Sequence, residues 1–347
     1  MSKASRNHGI VGEKLARQIA LSGPIPVSHY MAEANGHYYA TRDPFGAAGD
    51  FTTAPEISQM FGELVGLWLA ELWVRAGRPE RTAYVELGPG RGTLAADALR
   101  AMRAAGLDPS VHLVEASPVL RAAQAERLPH AAWHDDASTL PQDCPLLVVA
   151  NEFFDALPIR QLVNQSGRWH ELMVGYEDGR FVRKAGPVSA NAPVEAEEGA
   201  IVETSPASAA IAADLAHRVA EQGGAALIVD YGHVRTGVGD TLQAVARHAY
   251  ADPWTAPGTR DLTAHVDFQA LAQAAGQSRV AGPVSQGAWL EAMGIGARAA
   301  TLARAAPHRA GEIAAARTRL TAPEHMGDLF KVLALVAPAW PAPEGFA

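Results

Sequence analysis

The stretch from Glu86 to Gly92 has the residue types and the spacing of a ligand-binding loop. It reads ELGPGRG, so an acidic residue precedes three glycines at every second position, Gly88, Gly90 and Gly92. A dinucleotide fingerprint has the form G-x-G-x-x-G, in which the third glycine lies inside the following helix, near a pyrophosphate. Here the third glycine comes one residue early, and a carboxylate at Glu86 would repel a pyrophosphate. The pattern therefore favours a ligand that lies flat against bare main chain and carries positive charge.

A second carboxylate follows where a ribose would need one. Glu115 ends the predicted strand VHLVEAS, 23 residues after Gly92, and a carboxylate there accepts hydrogen bonds from two ribose hydroxyl groups. Together with the glycine loop, which includes Pro89, this predicts S-adenosylmethionine as the cofactor. The ribose contact suits NAD equally, so an NAD-dependent oxidoreductase is the alternative. Asp135 and Asp136 end the next strand, where either can bind the amino group of adenine or both can be loop acids.

The segment ANEFFDALP provides the residues for a second pocket, which would hold the acceptor. It follows the fourth predicted strand, whose carboxyl end abuts that of the first strand in a doubly wound sheet, so it faces the glycine loop. Asn151 is assigned to the cofactor as well. Glu152 and Asp155, beside Phe153 and Phe154, can hold a planar nitrogen group by hydrogen bonds while a ring stacks on its face. A helix cap for Asn151 or Asp155, and a core position for at least one phenylalanine, are the alternatives.

An alternation of strands and helices places both loops at one edge of a parallel sheet. The strand AYVEL, the glycine loop and the helix TLAADALRAMRAAG lead to VHLVEAS, and CPLLVVANEFF and AALIVDYGH are further buried strands. The segment from Arg160 to Gly186 alternates and turns at Ser166-Gly167 and Asp178-Gly179, which predicts antiparallel ribbons inserted into the order of the sheet. The predicted fold class is α/β, a Rossmann-like doubly wound sheet with an N-terminal helical region and an inserted antiparallel β segment.

Helical periodicity predicts further helices at both ends of the chain. They cover residues 10–23, 56–76, 266–275, 286–293 and 297–321, and a final strand LFKVLALV follows. We expect residues 1–80 to form the N-terminal helical region and residues 81–347 to form the main domain, with an insertion at about 159–200.

The overall composition excludes several classes of function. The net charge of −8 gives no broad attraction for phosphate backbones, so no nucleic-acid partner is expected. The apolar runs fall far short of the roughly 20 residues that span a bilayer, so no membrane insertion is expected. Cys144 is the single cysteine, which excludes an internal disulfide and a Cys-rich metal site, and no metal is expected. Trp68, Leu72 and Trp73 fit either a buried helix or a face that binds a second copy of the chain in a homodimer.

Six strings, in the same order along the chain, resemble the MidA-like methyltransferases. They are GDFTTAPEISQMFGE, VELGPGRGTL, ANEFFDALP, VETSP, VDYGH and PGTRDLTAHVDF, and the resemblance extends from about Gly12 to the final strand. The family includes a mitochondrial complex I assembly factor that methylates arginine. The resemblance implies a class I methyltransferase fold with S-adenosylmethionine as methyl donor. It also implies symmetric dimethylation of an arginine in the 49 kDa-type subunit of respiratory complex I, in support of complex I assembly.

The resemblance also assigns residues to the donor and a location to the protein. The glycine loop, Glu86 and Glu115 would bind the donor, and the segment GDFTTAPE would fold over it. The residues of this segment that are assigned to the donor are Asp50, Thr52, Thr53 and Glu56. No import peptide is evident at the N-terminus, which indicates a bacterial cytoplasmic protein. The mitochondrial matrix is the expected location if the source is eukaryotic.

An arginine acceptor would need carboxylates in the pocket. A guanidinium group is cationic and delocalised, so it is a poor nucleophile until a carboxylate pairs with one end of it. Glu152 is the first expected catalytic residue, and Asp155 or Asp230, which ends the strand ALIVD, is the second. Weaker candidates, for a cap, an ion pair or removal of the proton, are Asp261, Asp267, His233 and His265. A non-catalytic assembly chaperone that binds the donor as a structural ligand is the remaining alternative.

Overall fold

The computed structural model describes residues 9–41, 52–189, 194–246 and 249–346. Its α-helices in chain order are α1 (Gly9–Ser22), α2 (Val27–Thr41), α3 (Ala54–Ile57), α4 (Gln59–Arg75), α5 (Thr93–Ala104), α6 (Pro118–Arg127), α7 (Pro206–Gln222), α8 (Phe268–Ala274), α9 (Gln286–Ala292), α10 (Ile295–Ala305) and α11 (Ala310–Thr321). Its strands are β1 (Ile25–Pro26), β2 (Ala83–Leu87), β3 (Ser110–Val114), β4 (Ala132–His134), β5 (Leu146–Asn151), β6 (Arg160–Gln165), β7 (Arg168–Glu177), β8 (Arg180–Val188), β9 (Ile201–Thr204), β10 (Gly224–His233), β11 (Gln243–Ala246), β12 (Ala249–Ala251), β13 (Asp261–Thr263), β14 (Val266–Asp267), β15 (Arg279–Ser285) and β16 (Phe330–Val336).

The chain divides into two compact units. The first comprises Met1–Phe51, Asp155–Ala210 and Arg235–Asp267, and the second comprises Thr52–Phe154, Ile211–Val234 and Phe268–Ala347. The sequence predicts a boundary between residues 80 and 81 and an insertion at about 159–200. This division stays a prediction.

The second unit is built on a sheet with the strand order β15-β16-β10-β5-β2-β3-β4. The strands from β10 to β4 are parallel, and β16 runs antiparallel to both β10 and β15. Every residue of β2 and of β5 is buried, as expected for central strands covered on both faces. Leu87 pairs with Ala150, so the carboxyl ends of β2 and β5 lie side by side, as predicted. The two candidate loops therefore leave the sheet at the same edge.

The first unit contains the antiparallel ribbons. Strands β6, β7 and β8 are joined by two-residue turns in which both residues have positive φ, at Ser166-Gly167 (53° and 73°) and Asp178-Gly179 (48° and 79°). The predicted turns are confirmed, since such turns match the twist of the flanking strands. The ribbons do not enter the parallel sheet as predicted, however, because they pair with one another and with β1 and β9 in a sheet of their own. A third small sheet, β12-β11-β13, was not predicted.

Three helix predictions need correction. Helix α2 was missed, although Tyr30 and Met31 on it are fully buried in the core of the first unit. The predicted helix 56–76 is two elements, α3 and α4, because Ser58 between them is extended. The predicted helix 297–321 is likewise two, α10 and α11, separated by a 3₁₀ turn that begins at Pro307.

The tryptophans of α4 are part of the interior. Trp68 and Leu72 are fully buried within the chain, and Trp73 is 8% exposed. Of the two interpretations of these residues, the buried helix is therefore correct. None of the helices in the described part of the chain combines the length and the apolar character needed to cross a membrane.

Candidate active site

The glycine loop lies between β2 and α5 and has the conformation that only glycine adopts freely. Gly88, Gly90 and Gly92 have φ values of 61°, 53° and 74°, in the left-handed region. The N–H of Gly92 donates to the carbonyl of Pro89 at 2.8 Å and closes the turn. The N–H of Gly88 donates to the carbonyl of Val114 at 3.0 Å, which ties the loop to the end of β3. The loop thus presents bare main chain at the carboxyl edge of the sheet.

A buried glutamine that was not predicted from the sequence holds this loop in place. Gln124 on α6 has no exposed surface, and its Nε2 donates to the carbonyl of Gly90 at 2.7 Å and to Oε2 of Glu115 at 3.3 Å. Its Oε1 accepts a hydrogen bond from Nε1 of Trp133 at 2.8 Å. The signal was its position four residues after Leu120 and four before Leu128, on the buried face of an amphipathic helix.

Glu86 is buried in β2, whereas the sequence pattern predicts a charged carboxylate there. Its side chain is among the least exposed acids, at 3%, and its Oε2 accepts a hydrogen bond from the hydroxyl of Tyr84 at 2.6 Å. Burial raises the pKa of Glu86 to about 8, although the Tyr84 hydrogen bond opposes that rise. Glu86 is therefore mostly protonated at neutral pH until a cationic group approaches it.

Glu115 follows β3 directly, at the predicted position. Its Oε1 accepts a hydrogen bond from the N–H of Ser117 at 2.8 Å, and its own N–H donates to the carbonyl of His134 at 3.0 Å. Burial raises the pKa of Glu115, although the hydrogen bonds to its carboxylate oppose that rise. The carboxylate is thus held at the carboxyl end of the sheet, next to Gln124, which supports the glycine loop.

The two acids after β4 have different environments. Asp135 is exposed and forms an ion pair with Arg121, with Oδ1 2.6 Å from Nη2. Asp136 caps the 3₁₀ turn Ala137–Thr139, because its Oδ1 accepts a hydrogen bond from the N–H of Ser138 at 2.7 Å. Hydrogen bonds from Ser138 lower the pKa of Asp136. The contact of either acid with adenine stays a prediction.

The acceptor segment contains a strained glutamate. Glu152 has a φ of 50°, which is uncommon for a residue with a side chain, and its N–H donates to the carbonyl of Val229 on β10 at 2.9 Å. Oε1 of Glu152 accepts hydrogen bonds from Nδ2 of Asn151 and from the N–H of Ala54, each at 3.2 Å. Oδ1 of Asn151 is buried and has no hydrogen-bond partner among the described residues. This oxygen is able to accept a hydrogen bond from a bound group.

Asp230 holds the loop that follows Glu152. It is fully buried, and its Oδ2 accepts hydrogen bonds from the N–H groups of Phe153 at 3.1 Å and Phe154 at 2.9 Å. Its Oδ1 accepts a third from the N–H of Tyr231 at 2.9 Å. These contacts are those of a residue that fixes main chain, and its predicted catalytic role is untested by them.

The two phenylalanines divide as the alternatives allowed. Phe154 is 2% exposed and belongs to the core, whereas Phe153 is partly exposed. A Cβ added to Gly88 would lie 3.0 Å from Cδ2 of Phe153, so the Phe153 ring rests directly on the glycine loop. The donor loop and the acceptor segment are therefore in contact.

The segment assigned to the donor by resemblance is described only in part. Asp50 lies outside the described residues. Thr52 is partly buried and Thr53 is 7% exposed at the start of α3. Oε1 of Glu56 accepts a hydrogen bond from the hydroxyl of Thr93, the first residue of α5, at 2.6 Å.

The remaining candidates lie in the first unit, apart from His233 on β10. Asp155 is 7% exposed, and its carbonyl accepts a hydrogen bond from the N–H of Ala264 at 3.0 Å. Asp261 accepts a hydrogen bond from the hydroxyl of Tyr39 at 2.9 Å. Burial raises the pKa of Tyr39, and the negative charges of Asp261 and Asp155 raise it further. Asp267 accepts a hydrogen bond from the hydroxyl of Thr236 at 2.6 Å, and the N–H of His265 donates to the hydroxyl of Thr241 at 2.9 Å.

Comparison with known proteins identifies the family. Residues 64–284 match the Methyltransf_28 family of S-adenosyl-L-methionine-dependent methyltransferases. The chain is 40% identical to the mitochondrial protein arginine methyltransferase NDUFAF7 homolog of Drosophila melanogaster, over 96% of this chain and 86% of that protein. It is 36% identical to protein arginine methyltransferase NDUFAF7 of Homo sapiens, over 93% of this chain and 82% of that protein.

A solved structure shows the same fold with a product of the donor bound. A COG1565 superfamily member from Burkholderia thailandensis, bound to S-adenosyl-homocysteine, superposes with a TM-score of 0.87 at 31% identity, over 97% of this chain and 94% of that chain. A native structure of a COG1565 protein from the same organism gives a TM-score of 0.84 at 31% identity, over the same shares. This chain belongs to the Methyltransf_28 family, is an S-adenosylmethionine-dependent methyltransferase and has the class I fold.

The residues at the carboxyl edge of the sheet fit this cofactor. S-adenosylmethionine carries an amino group and ribose hydroxyl groups, which can donate to the orphaned Oδ1 of Asn151 and to the carboxylate of Glu115. The positive charge of the cofactor suits the buried Glu86. Between Gly88 and Gly92 only Pro89 and Arg91 carry side chains, so the cofactor can approach the main chain closely. The family match and the S-adenosyl-homocysteine in the related structure show that the cofactor is S-adenosylmethionine rather than NAD.

Proposed function

We propose that this chain methylates an arginine side chain of a protein. At the finer level, we propose symmetric dimethylation of an arginine in the 49 kDa-type subunit of respiratory complex I, which supports the assembly of that complex. The reaction would take place in the bacterial cytoplasm, or in the mitochondrial matrix of a eukaryote. The arginine acceptor is supported by two relatives that are named protein arginine methyltransferases. The subunit and the symmetric product rest on the family resemblance.

A carboxylate on a strained residue beside the donor loop is the observation that carries the proposal. A positive φ costs a residue such as Glu152 of the order of 1 kcal/mol, and such strain is concentrated at functional sites. The φ of 50° is held by the bond to β10 and by the Asp230 contacts with the next two N–H groups. The fold thus maintains an unfavourable conformation at the one acidic residue that follows β5 directly.

Glu152 is suited to a guanidinium acceptor. Paired with one end of that group, its carboxylate would draw positive charge to that end and leave the opposite nitrogen better able to attack. The donor supplies a methyl group on a sulfonium, and alignment of the nitrogen with it is the main task of the protein. Phe153, whose ring rests on Gly88, would limit how the planar group can lie beside the donor loop.

The other predicted catalytic residues have different supports. We propose that Asp230 acts through the loop, because three backbone N–H groups already use its two oxygens. Asp155 as the second carboxylate, and His233 or His265 as the carrier of the proton, stay predictions.

A methylation assay that includes a variant without the charge of Glu152 tests the proposal. Purified chain and isotopically labelled donor are incubated with the recombinant 49 kDa-type subunit, and the product is identified by mass spectrometry. We expect symmetric dimethylarginine with the native chain. Glu152→Gln keeps the shape and removes the charge, so kcat should fall about 100-fold, in line with the loss of a charged contact to the reacting group.

An exposed glutamate provides the matched control. Glu126 lies on the surface of α6, and Glu126→Gln should leave kcat unchanged. Donor affinity measured by calorimetry should be within about threefold of the native value in both variants, since neither change removes glycine-loop main chain. Methyl transfer to lysine alone, or full activity in Glu152→Gln, would show the proposal to be wrong.

A further inference from the structure

Helix α3 is a single turn that is not continuous with the helix after it. Thr53 before it is extended, with φ −80° and ψ 164°, and Ser58 after it is extended, with φ −163° and ψ 138°. The N–H groups of Glu56 and Ile57 donate to the carbonyl of Thr53 at 3.0 and 3.2 Å and close the turn. Ser58 thus separates α3 from α4, which begins at Gln59. Helix α3 packs on α4, α5 and α11, and two hydrogen bonds join it to the candidate site.

One contact joins the turn to the end of the donor loop. The hydroxyl of Thr93 donates to Oε1 of Glu56 at 2.6 Å, and both side chains are partly buried. Thr93 is the first residue of α5 and follows Gly92, the last glycine of the loop. A hydrogen bond to a charged acceptor is among the stronger kinds in proteins. It fixes Glu56 relative to the loop.

A second contact joins the turn to the acceptor carboxylate. The N–H of Ala54, a fully buried residue, donates to Oε1 of Glu152 at 3.2 Å. Pro55 lies between Ala54 and Glu56 and has a fixed φ, which makes the turn stiff. The turn therefore keeps the hydrogen bonds of Ala54 and Glu56 at a constant distance from each other. The Phe153 ring on Gly88 completes a closed set of contacts from donor loop to α3 to acceptor segment.

We propose that α3 is a positioning element which orients the Glu152 carboxylate by reference to the start of α5, with Glu56 and Thr93 as its positioning residues. The inference rests on the proposed function, in which Glu152 holds the acceptor. It changes the role that the family resemblance gives to Glu56, from a contact with the donor to an action through Thr93 and Ala54. The two roles differ in the kinetic constant that they affect.

Substitution of the hydroxyl separates these roles. Thr93→Val has the same shape and cannot donate to Glu56, so kcat for methyl transfer should fall about tenfold while the Kd of the donor stays within about twofold. Thr93→Ser retains the hydroxyl and should restore kcat to within about twofold of the native value. A weaker donor Kd at unchanged kcat would overturn the proposal, as would native values for both constants in Thr93→Val.

Variants at Glu56 provide a second, independent arm. Glu56→Gln retains a neutral oxygen acceptor and should lose less kcat than Glu56→Ala, which should match Thr93→Val. Glu56→Ala and Thr93→Val remove the same hydrogen bond. The double variant should therefore be no slower than either single variant. Additive losses would show that Glu56 acts elsewhere. Melting temperatures are compared first, and the Glu56 pair decides the question if Thr93→Val does not fold.

Failure of the proposed function would give a different result. If the native chain binds the donor but modifies no arginine, the proposed function is wrong, and kinetics cannot address α3. Crystal structures of the native chain and Thr93→Val then test the inference directly. The hydrogen bond between Ala54 N–H and Glu152 should be present in the first and lost in the second. Its retention in the variant would contradict the positioning role.

Discussion

At the scale of single residues, the buried acid of β2 connects the structure to the binding of a cationic ligand. Glu86 has a pKa of about 8 because burial disfavours its charge. A cation placed beside it would favour the ionised form and lower that pKa. Binding of the donor near Glu86 must then release a proton at neutral pH. The attraction between the cation and the ionised carboxylate favours both donor binding and loss of the proton.

Proton release on donor binding is therefore the first prediction. At pH 7 nearly one proton should leave per donor bound, and donor affinity should rise about tenfold per pH unit up to about pH 8 and then level off. Calorimetry in buffers of different ionisation enthalpy measures the proton count. In Glu86→Gln this contribution should disappear, while any proton released by Glu115 is present in both proteins and cancels in the comparison. Equal proton release by the two proteins would place the charged part of the donor away from Glu86.

At the scale of elements, the site depends on parallel strands that end together. Because β2, β5 and β10 are adjacent and parallel, the glycine loop, Glu152 and Asp230 lie at one edge of the sheet. Helix α5 begins directly after the loop, so whatever positions α5 also positions the loop. Helix α4 packs closely on it, since a Cβ added to Gly66 would lie 2.3 Å from the carbonyl oxygen of Ala98.

Closing this gap should destabilise the protein. Gly66→Ala places a methyl group against main chain that cannot yield, and overpacking of this kind costs about 1 to 3 kcal/mol. Urea unfolding should show a lower midpoint, and donor affinity should weaken as α5 shifts. Gly36→Ala is the matched control, because Gly36 is exposed on α2 with nothing within 4 Å of the added Cβ. It should raise the free energy of unfolding by about 0.5 to 1 kcal/mol. If Gly66→Ala is as stable as that control, the close packing of α4 on α5 is not a constraint.

The sequence predicts those parts of the fold and site whose determinants are local. The glycine loop, the strands around it and the two-residue turns of the ribbons depend on neighbours in the chain, and they were predicted correctly. Helix α2 was missed because Asn35 and Gly36 are poor helix formers in its interior. Asn35 is retained for a long-range reason: its side chain donates to the carbonyls of Ala156 and Leu262 at 3.0 and 2.7 Å. Gln124 is a similar case, since its partners Gly90 and Trp133 are identified only by the folded structure.

At the scale of the whole molecule, the predicted donor contacts that are described all lie in the second unit. They extend from Thr52 to Asn151, inside the range Thr52–Phe154. Asp155 and Asp261, in contrast, belong to the first unit. The second unit by itself therefore contains every described residue that the account assigns to the cofactor, together with Glu152.

A crystal structure of this chain with S-adenosylhomocysteine tests that assignment most directly. The account predicts the amino-acid part of the ligand on the main chain between Gly88 and Gly92, with its ribose hydroxyl groups on Glu115 and its sulfur on the side of Glu152. A donor to Oδ1 of Asn151, which lacks a partner among the described residues, should appear with it. The ligand bound at another edge of the sheet, or with its ribose away from Glu115, would contradict the account.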